Sequence, residues 1–175
     1  MPDFKIEGGV PLRGEITASG NKNAALPMLA AALLTQEEVV LENLPDIADV
    51  RNMCELLTFL GVIWKREGEI LRIQAKEVSS EPLTRDLCNR VRTSILFVAP
   101  LLHRTRQARL HPPGGDVIGR RRLDAHFYGL RKLGATVDED TLTFAAPNRL
   151  KGQDIFFDEA SVTATEHLMM AAVLA

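Results

Sequence analysis

Arginine is concentrated near the middle of this chain. Residues 85–132 contain eleven Lys or Arg residues against three Asp residues, a local net charge of +8 in a chain whose net charge is −2. Guanidinium groups match the oxygens of phosphates and carboxylates in bidentate geometry, so the pattern predicts an anionic partner. A merely solvated surface is the alternative. No nucleic-acid partner is expected, because the aromatic residues of the segment are not interleaved with its basic ones.

A Gly- and Pro-rich loop, residues 111–122, lies within this basic region. It holds one carboxylate, Asp116, and the arginine triplet Arg120, Arg121 and Arg122. Glycine and proline at this density disfavour helix and strand, and such loops often carry functional residues. The loop is therefore interpreted as a flexible lid over an anionic substrate, with a longer turn of no special function as the alternative.

Three predicted helices begin beside residues suited to anion binding. Lys22 and Asn23 precede the first helix, Arg90 and Arg92 open the second, and residues 161–165 open the third. A helix N-terminus carries unpaired N–H groups and a partial positive charge. Three such ends brought together predict an anion site, although Lys22 could also be a solvent-facing lysine.

The composition, with 46% hydrophobic and 25% charged residues, is that of a globular protein. The longest apolar run, residues 24–34, is too short for a membrane span, and no signal segment opens the chain, so a cytoplasmic protein without membrane contact is expected. Cys54 and Cys88 lack the spacing of a disulfide framework or zinc site. No metal or cofactor is expected.

The elements that must position these residues form an internal repeat. Residues 14–82 predict the order βαβαββ, and residues 83–150 repeat it. The second helix of each unit has apolar residues at i, i+4, i+7 and i+10, and it ends at Leu60-Gly61 or Leu133-Gly134. The loop at 111–122 adds four residues to the second unit, so it is not needed to build the unit.

A third copy, residues 151–175, reaches only its first helix. The predicted fold is therefore α/β (α+β), with two complete βαβαββ units and part of a third. We expect the chain to be a portion of a longer protein, with a frayed terminal helix as the alternative.

Four motifs occur in a distinctive order along the chain. They are Gly14–Ile16 with Ser19–Pro27, then Val91–Ile95, then Pro113–Gly119 with Arg121 and Asp124, and finally Ser161–Thr165. In these motifs, from Phe4 to Ala175, the chain resembles the UDP-N-acetylglucosamine 1-carboxyvinyltransferase family of enolpyruvyl transferases. The resemblance implies an inside-out barrel fold and transfer of the enolpyruvyl group of phosphoenolpyruvate to the 3-hydroxyl of UDP-N-acetylglucosamine. This is the first committed step of peptidoglycan synthesis.

The resemblance also implies residue roles. Lys22 and Arg121 would hold phosphoenolpyruvate, and Asn23 and Arg92 would bind the nucleotide sugar. The uridine diphosphate side would be lined by Arg121, Arg122, Leu123, Asp124 and Ala125 together with Ser161, Val162 and Thr163. Lys22 and Asp116 are the expected catalytic residues.

Two positions depart from the usual family pattern. Asp116 stands where the family places a cysteine that protonates the methylene carbon of phosphoenolpyruvate, a replacement known among family members. A carboxylic acid can do this if its pKa is raised, and it is a poor target for an epoxide, so insensitivity to fosfomycin is expected. Arg122 stands where many relatives have a proline near the uracil. Cys54 and Cys88, and likewise His111 and His126, are interpreted as structural.

The family has two similar domains with the active site between them. Residues 1–21 would join the second domain, residues 22–175 would form an incomplete first domain, and the general base would lie beyond Ala175. The chain alone is therefore expected to be inactive. Two alternatives remain: a 5-enolpyruvylshikimate-3-phosphate synthase-like enzyme, which the loop Pro113–Gly119 disfavours, and a truncated paralogue that only binds the nucleotide sugar.

Overall fold

The structure is a computed structural model that describes residues 3–115 and 122–175. The first unit comprises α1 (Lys22–Ala31), a 3-10 turn (Ala32–Leu34), β1 (Glu38–Leu41), α2 (Ala48–Phe59), β2 (Ile63–Glu67) and β3 (Ile70–Gln74). The second comprises α3 (Arg85–Arg90), a 3-10 helix (Arg92–Phe97), α4 (Val98–Thr105), β4 (Gln107–Arg109), α5 (Asp124–Lys132), β5 (Thr136–Asp138) and β6 (Thr143–Ala145). The helix α6 (Val162–Ala172) follows.

Each unit folds into a three-stranded antiparallel sheet with the same strand order. β3 lies between β1 and β2, and β6 lies between β4 and β5. The central strands place Ile73 and Phe144 in the core, where both side chains are buried. The two sheets therefore share one strand order, although the helices before them differ, with α1 and a 3-10 turn in the first unit and α3, a 3-10 helix and α4 in the second.

The leading strand of each unit differs from the prediction. Within the described ranges no strand lies before α1, between β3 and α3, or between β6 and α6, so no leading strand is found in any of the three predicted units. A strand needs a neighbour to pair its N–H and C=O groups. Among the described residues no backbone hydrogen bond engages residues 3–20, and Phe4 and Leu12 are 92% and 98% exposed.

Glycine ends the second helix of each unit, as predicted. Gly61 after α2 and Gly134 after α5 have φ values of 80° and 96°, the left-handed region that favours glycine. The N–H of the following residue then donates back to the helix, Val62 to Leu57 and Ala135 to Leu130, each at 3.0 Å. These turns direct the chain from helix to sheet.

The first helices of the three copies contact one another. α1 packs on the 3-10 helix at residues 92–97, and α6 packs on α4 and on α1. Their apolar faces belong to one continuous core, in which Leu29, Phe97 and Ala171 are fully buried. The starts of these helices are thereby brought to one side of the molecule. Within the described ranges, no helix has the length and apolar character to cross a membrane.

Candidate functional site

An open cavity of about 740 Å³ lies where these helices begin. Nine of the predicted site residues line it: Lys22, Asn23, Arg92, Arg122, Asp124, Ala125, Ser161, Val162 and Thr163. Leu123 is instead half-buried and packs against the core. Asp116 and Arg121 lie outside the described residues. Sequence motifs that are far apart along the chain thus meet at one site.

Lys22 is fixed at the start of α1 by its neighbours. The Asn21 side chain caps the helix by accepting the N–H of Ala24 at 3.1 Å. Gly20 passes so close to Asn43 that a Cβ at Gly20 would lie 1.7 Å from its carbonyl oxygen. The Lys22 ammonium then donates to Oδ2 of Asp49 at 3.1 Å, which directs it along the cavity wall.

Arg90 and Arg92 approach the cavity from the second unit. Arg90 forms ion pairs with Asp86 and, at 2.5 Å, with Glu55 of α2, which joins the two units. Arg92 opens the 3-10 helix, and its Nη2 donates to the carbonyl oxygen of Arg122 at 3.4 Å. The Arg122 guanidinium in turn lies 3.6 Å from Asp124.

The entry to the 111–122 loop is anchored beside Arg92. The N–H groups of Gly114 and Gly115 donate to the carbonyls of Cys88 and Asn89 at 2.9 and 3.2 Å. A Cβ at Gly114 would lie 1.8 Å from the Asn89 carbonyl oxygen, so only glycine fits. The backbone of Gly115 is therefore held in place at the cavity, and Asp116 follows Gly115 in the sequence.

The start of α6 supplies backbone donors. The Ser161 side chain accepts the N–H of Ala164 at 3.3 Å. The N–H groups of Val162 and Thr163 belong to the first helical turn and have no partner within the helix. Both residues line the cavity, so this helix end favours an anionic group there.

A histidine pair, His126 of α5 and His167 of α6, lies behind Thr163. Nε2 of His126 is 3.4 Å from the Thr163 hydroxyl, and its Nδ1 is 3.0 Å from Nδ1 of His167. Burial, together with the charge of Arg92, lowers the pKa of His126 to about 4. Burial and His126 lower the pKa of His167 well below its usual value. No local sequence pattern links the two residues, because they meet only through packing of α5 on α6.

Neither Cys54 nor Cys88 is among the described residues that line the cavity. Both side chains are buried, and neither forms a disulfide. Burial raises the pKa of Cys54 to about 11 and also raises the pKa of Cys88. Because the thiolate is the nucleophilic form, these environments favour packing over reactivity.

The concentrated arginines do not form one surface. Arg90, Arg92 and Arg122 line the cavity, whereas Arg131 pairs with Glu139 at 2.6 Å on the far end of α5. Arg104 donates to four backbone carbonyls, those of Leu33, Thr35, Ala75 and Lys76, at 2.7 to 3.2 Å. Part of the local positive charge therefore stabilises the fold and is not available to a ligand.

The charges of the described lining residues are mixed. Lys22, Arg90, Arg92 and Arg122 are offset by Asp49, Asp124 and Glu159. Within residues 3–115 and 122–175, no group of three or more His, Cys, Asp or Glu side chains is placed to hold a metal ion. The described cavity lining thus presents several separate cationic side chains and backbone N–H groups that suit a polar ligand.

Comparison with known sequences gives concordant matches. The sequence model of the family described as EPSP synthase (3-phosphoshikimate 1-carboxyvinyltransferase) matches residues 6–175. The UDP-N-acetylglucosamine 1-carboxyvinyltransferase of Treponema denticola is 50% identical over 100% of the chain and 41% of the relative. The proteins of the same name from Borreliella burgdorferi and Bradyrhizobium diazoefficiens are 48% and 51% identical over 41% and 40% of their lengths, and over 100% and 98% of this chain. The chain thus spans about two fifths of these relatives' length.

Solved structures show the same fold. The enolpyruvyl transferase NikO from Streptomyces tendae superposes with a TM-score of 0.75 at 22% identity, covering 94% of this chain and 39% of that chain. The EPSP synthase of Acinetobacter baumannii gives a TM-score of 0.71 at 15% identity, with 93% and 38% covered. The resemblance found in the motifs is confirmed, and the chain belongs to the EPSP synthase family, with the α/β fold of the enolpyruvyl transferases.

Proposed function

We propose that this chain is the N-terminal part of a UDP-N-acetylglucosamine 1-carboxyvinyltransferase. The observation that carries the proposal is the cavity at the helix starts, which gathers Lys22, Arg92, Arg122 and residues 161–163. The names of the relatives at 40–51% identity support the same choice of acceptor sugar. The reaction would be the first committed step of peptidoglycan synthesis, in the cytoplasm.

The proposed reaction needs an acid and several cations. The 3-hydroxyl oxygen of the sugar would bond to C2 of phosphoenolpyruvate and lose its proton to the general base. C3 would take up a proton from the acid as the C2=C3 double bond becomes single, which gives a tetrahedral intermediate. Loss of inorganic phosphate and of one C3 proton then restores the double bond. Cations held at the phosphate and carboxylate stabilise charge that moves during these steps.

Lys22 and Arg121 would hold phosphoenolpyruvate, and Asp116 would donate the proton to C3. Support for Lys22 comes from its placement by Asp49, which points the ammonium along the cavity wall at 3.1 Å. Support for Asp116 comes from its neighbour Gly115, whose backbone is anchored to Asn89 beside Arg92.

The nucleotide sugar would lie across the starts of α1, α5 and α6. Asn23 and Arg92 would bind the sugar, and residues 121–125 with 161–163 would line the uridine diphosphate side. The N–H groups of Val162 and Thr163, which have no partner within α6, suit a diphosphate oxygen. Arg122, in place of the usual proline, would add a cation to the same side.

The full-length protein, as we use the term below, is the longer protein of which this chain would be the N-terminal part. The relatives' greater length supports this proposal. So do the exposed apolar side chains of residues 4–16 and of α6, where Val162 and Met169 are 72% and 67% exposed. Residues 1–21 would join the second domain, and the general base would come from beyond Ala175.

The test is phosphate release by the purified full-length protein. Turnover is expected only when phosphoenolpyruvate and UDP-N-acetylglucosamine are both present. Turnover with shikimate 3-phosphate in place of the nucleotide sugar would assign the protein to the other branch of the family. Tight binding of the nucleotide sugar without phosphate release would instead favour the non-catalytic alternative.

A further inference from the structure

The histidine pair forms a hydrogen-bonded chain whose direction is fixed at its inner end. Where the 3-10 helix passes into α4, the backbone N–H of Ala99 donates to Nε2 of His167 at 3.1 Å. A backbone N–H can only donate, so Nε2 of His167 carries a lone pair. The single proton of a neutral His167 must then be on Nδ1.

The tautomer of His167 determines which ring donates in its hydrogen bond with His126. Nδ1–H of His167 donates to Nδ1 of His126 at 3.0 Å. The reverse direction would leave His167 without a ring proton, as an imidazolate. His126 therefore holds its proton on Nε2, which faces the Thr163 hydroxyl oxygen at 3.4 Å. The Thr163 hydroxyl oxygen therefore accepts a hydrogen bond from Nε2–H of His126.

Deep burial keeps this arrangement in one state. His126 is 2% exposed and His167 is fully buried, so protonating either ring would place a charge in the core. The nearby Arg92 charge further lowers the pKa of His126, to about 4. Both rings are neutral at pH 7, and the tautomers are fixed by the Ala99 N–H.

Thr163 is left with a hydrogen to donate. His126 is the only partner of its hydroxyl among the described residues. Thr163 lies in the first turn of α6, where residues 159 and 160 precede the helix, so it has no helical carbonyl to bond back to. The residue also lines the cavity.

We propose that His126 and His167 are positioning residues that set the Thr163 hydroxyl as a hydrogen-bond donor to an oxygen of the bound nucleotide sugar. The identity of this ligand rests on the proposed function above. The tautomer chain itself does not.

The tautomers are tested by nitrogen-15 NMR of histidine-labelled full-length protein without ligand. We expect His167 protonated at Nδ1 and His126 at Nε2, with both patterns unchanged between pH 8 and pH 5.5. Opposite tautomers, or protonation of either ring in this range, would overturn the proposal.

The role of Thr163 is tested by a double-mutant cycle in the full-length protein, with the dissociation constant of UDP-N-acetylglucosamine measured by calorimetry. Thr163→Val and His126→Phe should each weaken binding about tenfold, and the double variant should bind no more weakly than the weaker single variant. Thr163→Ser keeps the hydroxyl and should bind normally. His126→Gln keeps an amide donor and should restore most of the loss seen with Phe.

Independent, additive losses would overturn the proposal, as would normal binding by Thr163→Val. Thr163→Val is nearly isosteric at a half-buried position, so this arm stands even if His126→Phe fails to fold. If the unmodified protein does not bind the nucleotide sugar, the proposed function is wrong and the ligand assigned to Thr163 falls with it. The NMR result still decides the tautomer chain.

Discussion

At the scale of single residues, the position of Lys22 depends on neighbours that touch no ligand. Gly20 allows the close approach to Asn43, Asn21 caps α1, and Asp49 directs the ammonium. This exposed ion pair contributes little stability by itself. Its importance is that it holds a cation where an anionic ligand would bind.

Lys22→Ala in the full-length protein should lower kcat/KM by at least about a hundredfold, because a positioned cation that stabilises transition-state charge is typically worth this much. Steady-state phosphate release measures the effect. Lys76→Ala, which removes an exposed lysine side chain outside the cavity, is the matched control and should leave activity unchanged. A Lys22→Ala protein with more than a tenth of normal kcat/KM would contradict the assigned role.

Asp116 leads to a prediction about covalent inhibition. The full-length protein should keep its activity during prolonged incubation with fosfomycin, because a carboxylate attacks an epoxide far more slowly than a thiolate does. Asp116→Cys should be active and should lose activity with time in the inhibitor. Rapid, irreversible inactivation of the unmodified protein would show that another residue reacts.

The histidine pair predicts a loss of stability in acid. In the unfolded chain His126 takes up a proton as the pH falls through about 6.5, the ordinary pKa of histidine. In the folded protein the pKa of His126 is lowered to about 4, so the proton is taken up only near that pH. The unfolded state binds more protons in this window, so the free energy of unfolding falls as pH drops from about 6.5 to about 4, by about 3 kcal/mol for His126. His126→Gln should reduce the acid loss by about that amount in urea titrations at pH 7 and pH 4, whereas His111→Gln, which leaves the pair intact, should not.

At the scale of elements, Arg104 joins three parts of the first unit to α4. Its Nη1 donates to carbonyls in the 3-10 turn 32–34 and at Thr35, and its Nη2 donates to two carbonyls after β3. A planar group with five donors suits four carbonyls in a way that a lysine ammonium cannot match.

Arg104→Met should lower the free energy of unfolding by about 3 kcal/mol, since it leaves partly buried carbonyls without a donor. Arg85→Met, at an exposed position in α3, is the control and should cost less than about 0.5 kcal/mol. Urea unfolding of the full-length protein measures both. Equal losses for the two variants would contradict the structural role of Arg104.

The elements also show what sequence reasoning could reach. Helix faces and their glycine ends were predictable because Val50, Leu57, Gly61 and Gly134 obey local periodicity and backbone rules. The predicted leading strands are not found in the described ranges, because a strand forms only against a partner that local sequence does not supply. The motifs identified most of the residues that meet at the cavity. The His126–His167 contact and the hydrogen bonds of Arg104 depend on long-range packing, which local sequence does not show.

At the scale of the whole molecule, two of the described segments carry several exposed apolar side chains. One is the segment at residues 4–16, and the other is the outer face of α6. Exposed apolar patches of this kind mark surfaces that contact other parts of a protein. They are the surfaces through which this chain would meet the rest of the full-length protein.

The 175 residues alone should show no transferase turnover, because the second wall of the active site and the general base would be absent. Phosphate release by the purified chain is compared with that of its Asp116→Ala variant, and the two are expected to be indistinguishable. Turnover above the variant would show that the chain holds a complete catalytic site.

The cavity joins the starts of α1, the 3-10 helix at residues 92–97 and α6, so a ligand there would contact all three helices at once. Binding to the folded state alone stabilises it by an amount that grows with the logarithm of ligand concentration. The nucleotide sugar would then hold together the helices that line the cavity, which otherwise contact one another mainly through their apolar faces. The melting temperature would measure how strongly these helices are held together. Saturation with the nucleotide sugar would raise it before any chemical step takes place.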